Sequence, residues 1–179
     1  MPLQKIRLHL DISTRVTGVV ATVGDLVVVV GYLALPVLDP LCRMSYIYGL
    51  IEPLELRFDE VHIELPPPMK SRKGHGTLYA FTIFCAWCFS RKSPKIEFHK
   101  ASDVRKSLGI GKTNVSDIKS LVQSKLSKLY PEIEEKAFVY GKVCYTNPKS
   151  KRLNAAEVRG DVFDALAIAK HVNEAIKFF

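Results

Sequence analysis

The segment KIRLHLDI, residues 5–12, alternates without a break: Lys5, Arg7, His9 and Asp11 on one side, Ile6, Leu8, Leu10 and Ile12 on the other. Period two predicts a strand with two chemically different faces. The run VTGVVATV follows, then Gly24-Asp25, then LVVVVGYLAL. A Gly-Asp pair between β-branched runs reads as a hairpin turn. The first 35 residues therefore commit the chain to three antiparallel strands. The longest apolar run, Leu26 to Leu38, is broken by Gly31 and Pro36 and falls short of the roughly 20 residues a membrane helix needs.

The rest of the chain alternates helix and strand. Asp39-Pro40 reads as a cap and first helical residue, opening a helix toward about Arg57 that Pro53 ends or kinks. FDEVHIEL predicts a buried strand ending at Glu64, and Pro66-Pro67-Pro68 opens the loop MKSRKGHGT. Residues 77–89, TLYAFTIFCAWCF, are apolar nearly all round; length favours a buried helix, while β-branched and aromatic content leaves a strand open. KIEFHK reads as a further strand. Ala101 to Leu108 reads as a short helix capped by Ser102. GIGKT reads as a turn, and Asn114 or Ser116 as the cap of a helix reaching about Leu129. Residues 138–146 read as a hairpin or edge strand. A long helix from about Ala155 to Phe178 closes the chain. No repeat and no linker interrupts residues 1–179, which read as one α/β domain: a mixed sheet, antiparallel then parallel, flanked by helices. That order fits a ribonuclease-H-like architecture and is shared with other α/β folds.

Charge is unevenly placed. The chain carries a net +8, yet residues 69–128 hold 13 Lys and Arg against 3 Asp and Glu, while residues 1–68 are net acidic. A basic block inside a folded domain points to a polyanion partner. Its candidate contacts are Lys70, Arg72, Lys73, Lys100, Arg105, Lys106, Lys112 and Lys119. Four cysteines in apolar contexts fit buried thiols in a reducing, intracellular compartment better than a disulfide scaffold. Cys85 and Cys88 have redox spacing, but no second pair completes a zinc site. Gly111-Lys112-Thr113 lacks the first glycine of a phosphate-binding loop, because position 106 is Lys.

Four acids are singled out by position. Asp11 lies in the alternating strand between Leu10 and Ile12, and Glu64 ends another strand. Asp161 and Asp164, in GDVFDALAIAKH, are three apart and share a helix face. Singly, each has an ordinary explanation: a solvated strand residue, a surface ion pair, a helix cap. Together they form a set that suits a divalent cation. His75, in the basic loop, and His171, two turns after Asp164, are further candidates to border a site.

GDVFDALAIAKH resembles the closing segment of the RuvC-like Holliday-junction resolvases, Asp-x-x-Asp-Ala-Leu-Ala-Ile-Ala. Leu10-Asp11-Ile12-Ser13 with Thr17-Gly18 resembles their first strand. Asp39-Pro40-Leu41 through Val61-His62-Ile63-Glu64 resembles the helix and strand that deliver their catalytic Glu. Asp103-Val104-Arg105-Lys106 with Gly109-Ile110-Gly111 resembles their Val-Lys and Gly-x-Gly stretch. Arg105 stands for the family lysine, and the lysine expected after Gly-x-Gly falls near Val115, with Lys112 as substitute. The resemblance implies metal ligands at Asp11, Glu64, Asp161 and Asp164. It implies two magnesium or manganese ions per site and a homodimer making paired nicks in four-way DNA junctions. Within the same fold the alternatives are a ribonuclease H or flap nuclease; from another class, a non-catalytic DNA-architecture protein.

Overall fold

The structure is a computed structural model, described at residues 4–13, 16–34, 40–53, 55, 57–66, 75–111, 118–132, 142–144 and 155–178. The elements in chain order are β1 (Ile6–Ile12), β2 (Val16–Val23), β3 (Leu26–Ala34), α1 (Pro40–Ile51), β4 (Glu60–Leu65), α2 (His75–Ser90), β5 (Ile96–Lys100), α3 (Ala101–Ser107), α4 (Ile118–Leu129), β6 (Lys142–Cys144), α5 (Ala155–Val172) and β7 (Lys177–Phe178). The strands form one sheet in the order β5-β4-β1-β2-β3-β6, with β7 also paired to β3. β1, β2 and β3 are antiparallel. β4 runs parallel to β1, β5 to β4, and β6 and β7 to β3.

The alternation of β1 is realised as two covered faces. Leu8, Leu10 and Ile12 join Val61 and Ile63 against Ile47 and Ile51 of α1 and Phe81, Cys85 and Phe89 of α2. On the opposite face Val20, Val27 and Val30 pack with Val104, Val122 and Leu126 against Val162, Phe163 and Leu166 of α5. Val27 and Val30 are three apart, yet both reach α5. A register shift explains this: Ala21 pairs with Val29 and Thr22 with Val27, leaving Val28 as the extra residue of a bulge. Gly24 takes φ +60° in the β2–β3 turn, the left-handed conformation that a two-residue hairpin asks of its first position.

Some expectations are met and others are corrected. α1 stops at Ile51, before Pro53, because proline removes an amide donor and excludes the helical conformation before it. α3 has Lys100, not Ser102, at its N-cap, with no side-chain cap bond. Ser102 lies inside the first turn, where the start is set by strand β5 running directly into the helix. The closing helix ends at Val172. There the Asn173 amide side chain bonds the Ala169 carbonyl and accepts from Arg7, and the Lys177 amide bonds Asp25, steering the tail into β7. The 77–89 segment is helical. Its inward positions Phe81, Cys85 and Cys88 are buried, while Tyr79, Ile83 and Trp87, spaced by four, form an exposed stripe. Of the 138–146 segment only Lys142–Cys144 lie among the described residues; they form β6, parallel to β3. Cys42 is exposed, unlike Cys85 and Cys88. The Asp39, Asn114 and Ser116 caps lie outside the described residues. Among the described residues, no helix is long and apolar enough to cross a membrane.

Candidate active site

The face of β1 that carries Arg7, His9 and Asp11 lies under α5. Asp11 follows Leu10, and Glu64 follows Ile63, the two residues paired at the end of the β1–β4 ladder. The two acids therefore emerge side by side from adjacent parallel strands. Asp161 and Asp164 come down on them from α5, one turn apart. Carboxylate oxygens of Asp11, Asp161 and Asp164 all lie within 4.8 Å of one another.

This approach depends on a glycine. Gly18 pairs with Asp11 across the β1–β2 ladder. A Cβ at Gly18 would fall 1.9 Å from the Asp161 carbonyl oxygen, well inside contact distance. Only a residue without a side chain lets the α5 backbone settle on the sheet here. Asp161 is seven residues into α5, so it does not cap the helix.

Lys119, from α4, completes the cluster. Its Nζ lies 2.8 Å from Asp161 Oδ1 and 3.3 Å from Asp164 Oδ2. Gly160 leaves room for it: a Cβ there would lie 3.3 Å from the lysine Cδ. The sequence assigned Lys119 to the basic interface and Lys112 to the role of the family lysine. The structure instead puts Lys119 at the carboxylates, a placement that sequence spacing alone did not reveal.

Four carboxylates around one ammonium leave an excess of negative charge, and their protonation behaviour reflects it. Burial, then the charges of Glu64, Asp164 and Asp161, push Asp11 well above the usual carboxylate range, with Lys119 opposing. Burial and the Asp164 charge lift Glu64 to about 7, while Arg105 and Lys119 pull the other way. Burial also raises Asp164 against the pull of Lys119. Burial disfavours the Lys119 ammonium, but Asp164, Asp11 and Asp161 outweigh it and hold Lys119 above its ordinary range. Such a pocket of hard oxygen donors fits divalent cations such as magnesium or manganese, which relieve the mutual repulsion.

Of the predicted basic contacts, Lys100 and Lys106 are exposed and Arg105 is half-buried, at the end of β5 and on α3. Arg105 is close enough to act electrostatically on both Glu64 and Asp164. Lys70, Arg72, Lys73 and Lys112 lie outside the described residues, and the side chain of His75 does too. Cys85 and Cys88 are buried among apolar side chains, and burial pushes the Cys85 thiol up to about 12. They act as small hydrophobes.

Sequence reasoning passed over one group. His9 and His62 stack with ring centroids 5.1 Å apart, His99 lies 5.1 Å from His62, and His171 sits edge-on to His99 at 5.3 Å. The signal was present: His9 and His62 each stand two residues before an acid of the site, hence on the same face of their strand. His171 borders this stack.

No protein-family model and no curated protein matches the sequence. Among solved structures, the fold is similar to Thermus thermophilus RuvC in complex with a Holliday junction substrate, with a TM-score of 0.59 at 11% identity over 93% of this chain and 91% of that one. A second Thermus thermophilus RuvC structure aligns with a TM-score of 0.47 at 10% identity, over 94% of this chain and 97% of that one. The architecture is thus RuvC-like, within the ribonuclease-H-like class. The likeness is one of fold, and the clustering of Asp11, Asp161 and Asp164 is observed on this chain itself.

Proposed function

We propose that the chain is a divalent-metal-dependent endodeoxyribonuclease that resolves four-way DNA junctions by paired, symmetric nicks. The observation that carries this reading is the gathering of Asp11, Asp161 and Asp164 within 4.8 Å, beside Glu64, on a RuvC-like fold. A carboxylate cluster opposes phosphate, so a protein that merely binds DNA has no use for one.

Asp11, Glu64, Asp161 and Asp164 are the candidate metal ligands. A bound pair of magnesium or manganese ions supplies an activated water and stabilisation of the leaving oxygen in phosphodiester hydrolysis. Lys119 keeps 59% of its side chain exposed. The residue therefore lies at the rim of the cluster, with its ammonium bound to Asp161 and Asp164 where an approaching phosphate would meet it. Lys100, Arg105 and Lys106 extend positive charge beside it, and backbone contacts of this kind give affinity and position without reading sequence.

A four-way junction has near two-fold symmetry, and paired nicks need two equivalent sites. The homodimer this requires has a candidate surface in Tyr79, Ile83 and Trp87 of α2. Trp87 is 52% exposed although it stacks with Tyr48 and packs on Phe84.

The test is cleavage of a mobile four-way junction, a linear duplex and an RNA–DNA hybrid side by side, with magnesium or manganese and with chelator. Divalent-dependent, symmetric nicking of the junction in preference to the other two is expected. Preferential cutting of the hybrid favours a ribonuclease H. Binding without cleavage under every metal condition refutes the enzyme reading.

A further inference from the structure

Four of the five histidines in the chain meet at the middle of the polar sheet face, one step below the carboxylates. Metal-dependent cleavage at the four acids gives them no role. We propose that His62, Glu97 and His99 form a second, separate metal site that takes a zinc-class ion and clamps β4 to β5 beneath Glu64.

The geometry is that of converging donors. His62 Nδ1 lies 2.9 Å from His99 Nε2 and 3.3 Å from Glu97 Oε2, and the latter two atoms are 4.0 Å apart. A tetrahedral zinc site with ligands at 2.0–2.1 Å separates its donors by about 3.3 Å, and these three distances bracket that value. One imidazole N–H between His62 and His99 would account for the shortest of them. It leaves unexplained why a carboxylate oxygen converges on both nitrogens.

The surroundings are those of a supported site. Metal-bound imidazoles are held in place through their second nitrogen, commonly by a carboxylate. The second nitrogen of His62, Nε2, is buried 3.4 Å from Glu60 Oε2, near a carboxylate although not hydrogen-bonded to it. The second oxygen of Glu97, Oε1, is held at 2.7 Å by Lys95, which leaves Oε2 for the cluster. His171 stands edge-on to His99 with its buried Nδ1 also lacking a hydrogen-bond partner, but outside the group of three close donors; the fourth position is left to water. The His62 side chain is 1% exposed and that of Glu97 39%, so an ion can arrive from the Glu97 side. Two imidazole nitrogens and one carboxylate select zinc over magnesium, which prefers all-oxygen surroundings.

His62 is two residues before Glu64 on the same strand face, and it pairs with Glu97 across the β4–β5 ladder. A bound ion would therefore fix the strand that presents Glu64 without taking part in cleavage.

The experiment uses the full chain, stripped with chelator and dialysed against zinc in the presence of excess magnesium, with bound metal counted by atomic emission. About one zinc per chain is expected. Asp11→Asn, which alters only the carboxylate site, should retain it. Glu97→Gln and His99→Gln should bind at least about 100-fold more weakly, beyond the 10–100-fold that removal of an outer-sphere partner costs. Circular dichroism confirms that each variant is folded; Glu97, being half-exposed, is the safer substitution. Cobalt in place of zinc should give the intense visible bands of a tetrahedral site, absent in Glu97→Gln. A wild-type chain that retains no zinc overturns the proposal. So does zinc that survives Glu97→Gln but disappears in Asp11→Asn, because the ion would then sit at the carboxylates. Neither readout depends on whether the chain cleaves DNA.

Discussion

Glu64→Gln should inactivate the protein and, without divalent metal, make it more stable. Glu64 is lifted from an ordinary 4.5 to about 7 by burial and the neighbouring Asp164. At 1.36 kcal/mol for each pKa unit, holding it ionised in the fold costs about 3 kcal/mol. The folded state binds its proton more tightly than the unfolded chain does. Stability therefore falls as pH rises from about 4.5 through about 7, and the whole cost is present above that window. Glutamine has the same shape and no charge. At pH 8 the variant should gain about 1–3 kcal/mol, the lower figure allowing for the forfeited attraction to Lys119 and Arg105. For a domain of this size each kcal/mol moves the melting temperature by about 2–4 °C. At pH 5 the gain should shrink toward zero. Magnesium should stabilise the wild type at pH 8 and narrow the difference, since ions that bind only the folded state stabilise by mass action. The assay is thermal melting at pH 5 and pH 8, with chelator and with magnesium. A variant that melts below wild type at pH 8 in chelator, or a difference independent of pH, would show that the cluster carries no electrostatic strain.

Asp11→Asn should abolish cleavage while leaving junction binding, measured by gel shift, equal or tighter, because a charge that repels phosphate is removed. Gly18→Ala should cost about 3 kcal/mol or more, read from urea melts, because a Cβ 1.9 Å from the Asp161 carbonyl oxygen forces α5 off the sheet. Lys119→Gln should reduce cleavage by about 10²–10³, the usual scale for removing one preorganised electrostatic partner, in single-turnover assays with magnesium. Neutralising Arg105, Lys106 and Lys112 together should reduce the slope of log affinity against log salt by about 0.9 for each duplex-arm phosphate that these side chains neutralise; an unchanged slope removes them from the interface.

The sheet was legible because its signals are local. The alternation of 5–12 fixes two faces, and Gly24-Asp25 fixes a hairpin. The carboxylates were legible as positions: strand residues for Asp11 and Glu64, one helix face for Asp161 and Asp164. What brings them together was not, because it depends on the backbone approach at Gly18, between residues 143 positions apart in sequence. Lys119 escaped for a related reason. In sequence it is one basic residue among many, and the packing of α4 on α5 past Gly160 brings it to Asp161. Ala175-Ile176 continues the apolar pattern of the closing helix past its observed end at Val172. The Arg7–Asn173 bond that stops it spans the chain from end to end.

The three steps along the polar face of β1 and β4 argue for a cation at the outermost one. At the inner end Glu60 is buried, but Lys5 and Arg7 bond its two oxygens at 2.6 and 2.7 Å and Lys95 lies near. Against the cost of burial, these cations hold it well below the usual carboxylate range. In the middle His9 and His62 are buried, and burial keeps both imidazoles below their ordinary range, so these two side chains themselves bring no positive charge toward the acids near neutral pH. At the outer end Asp11 and Glu64 face two more carboxylates from α5, with Lys119 bound among them. The same pair of strands thus surrounds one buried acid with cations two steps from where it crowds four acids around one. Neutralisation by side chains was available to this sheet and is used at Glu60. The acids at the other end retain an unmet demand for positive charge. Burial raises the energy of that demand, and a divalent ion delivered with a polyanionic substrate is the partner of matching charge and donor preference.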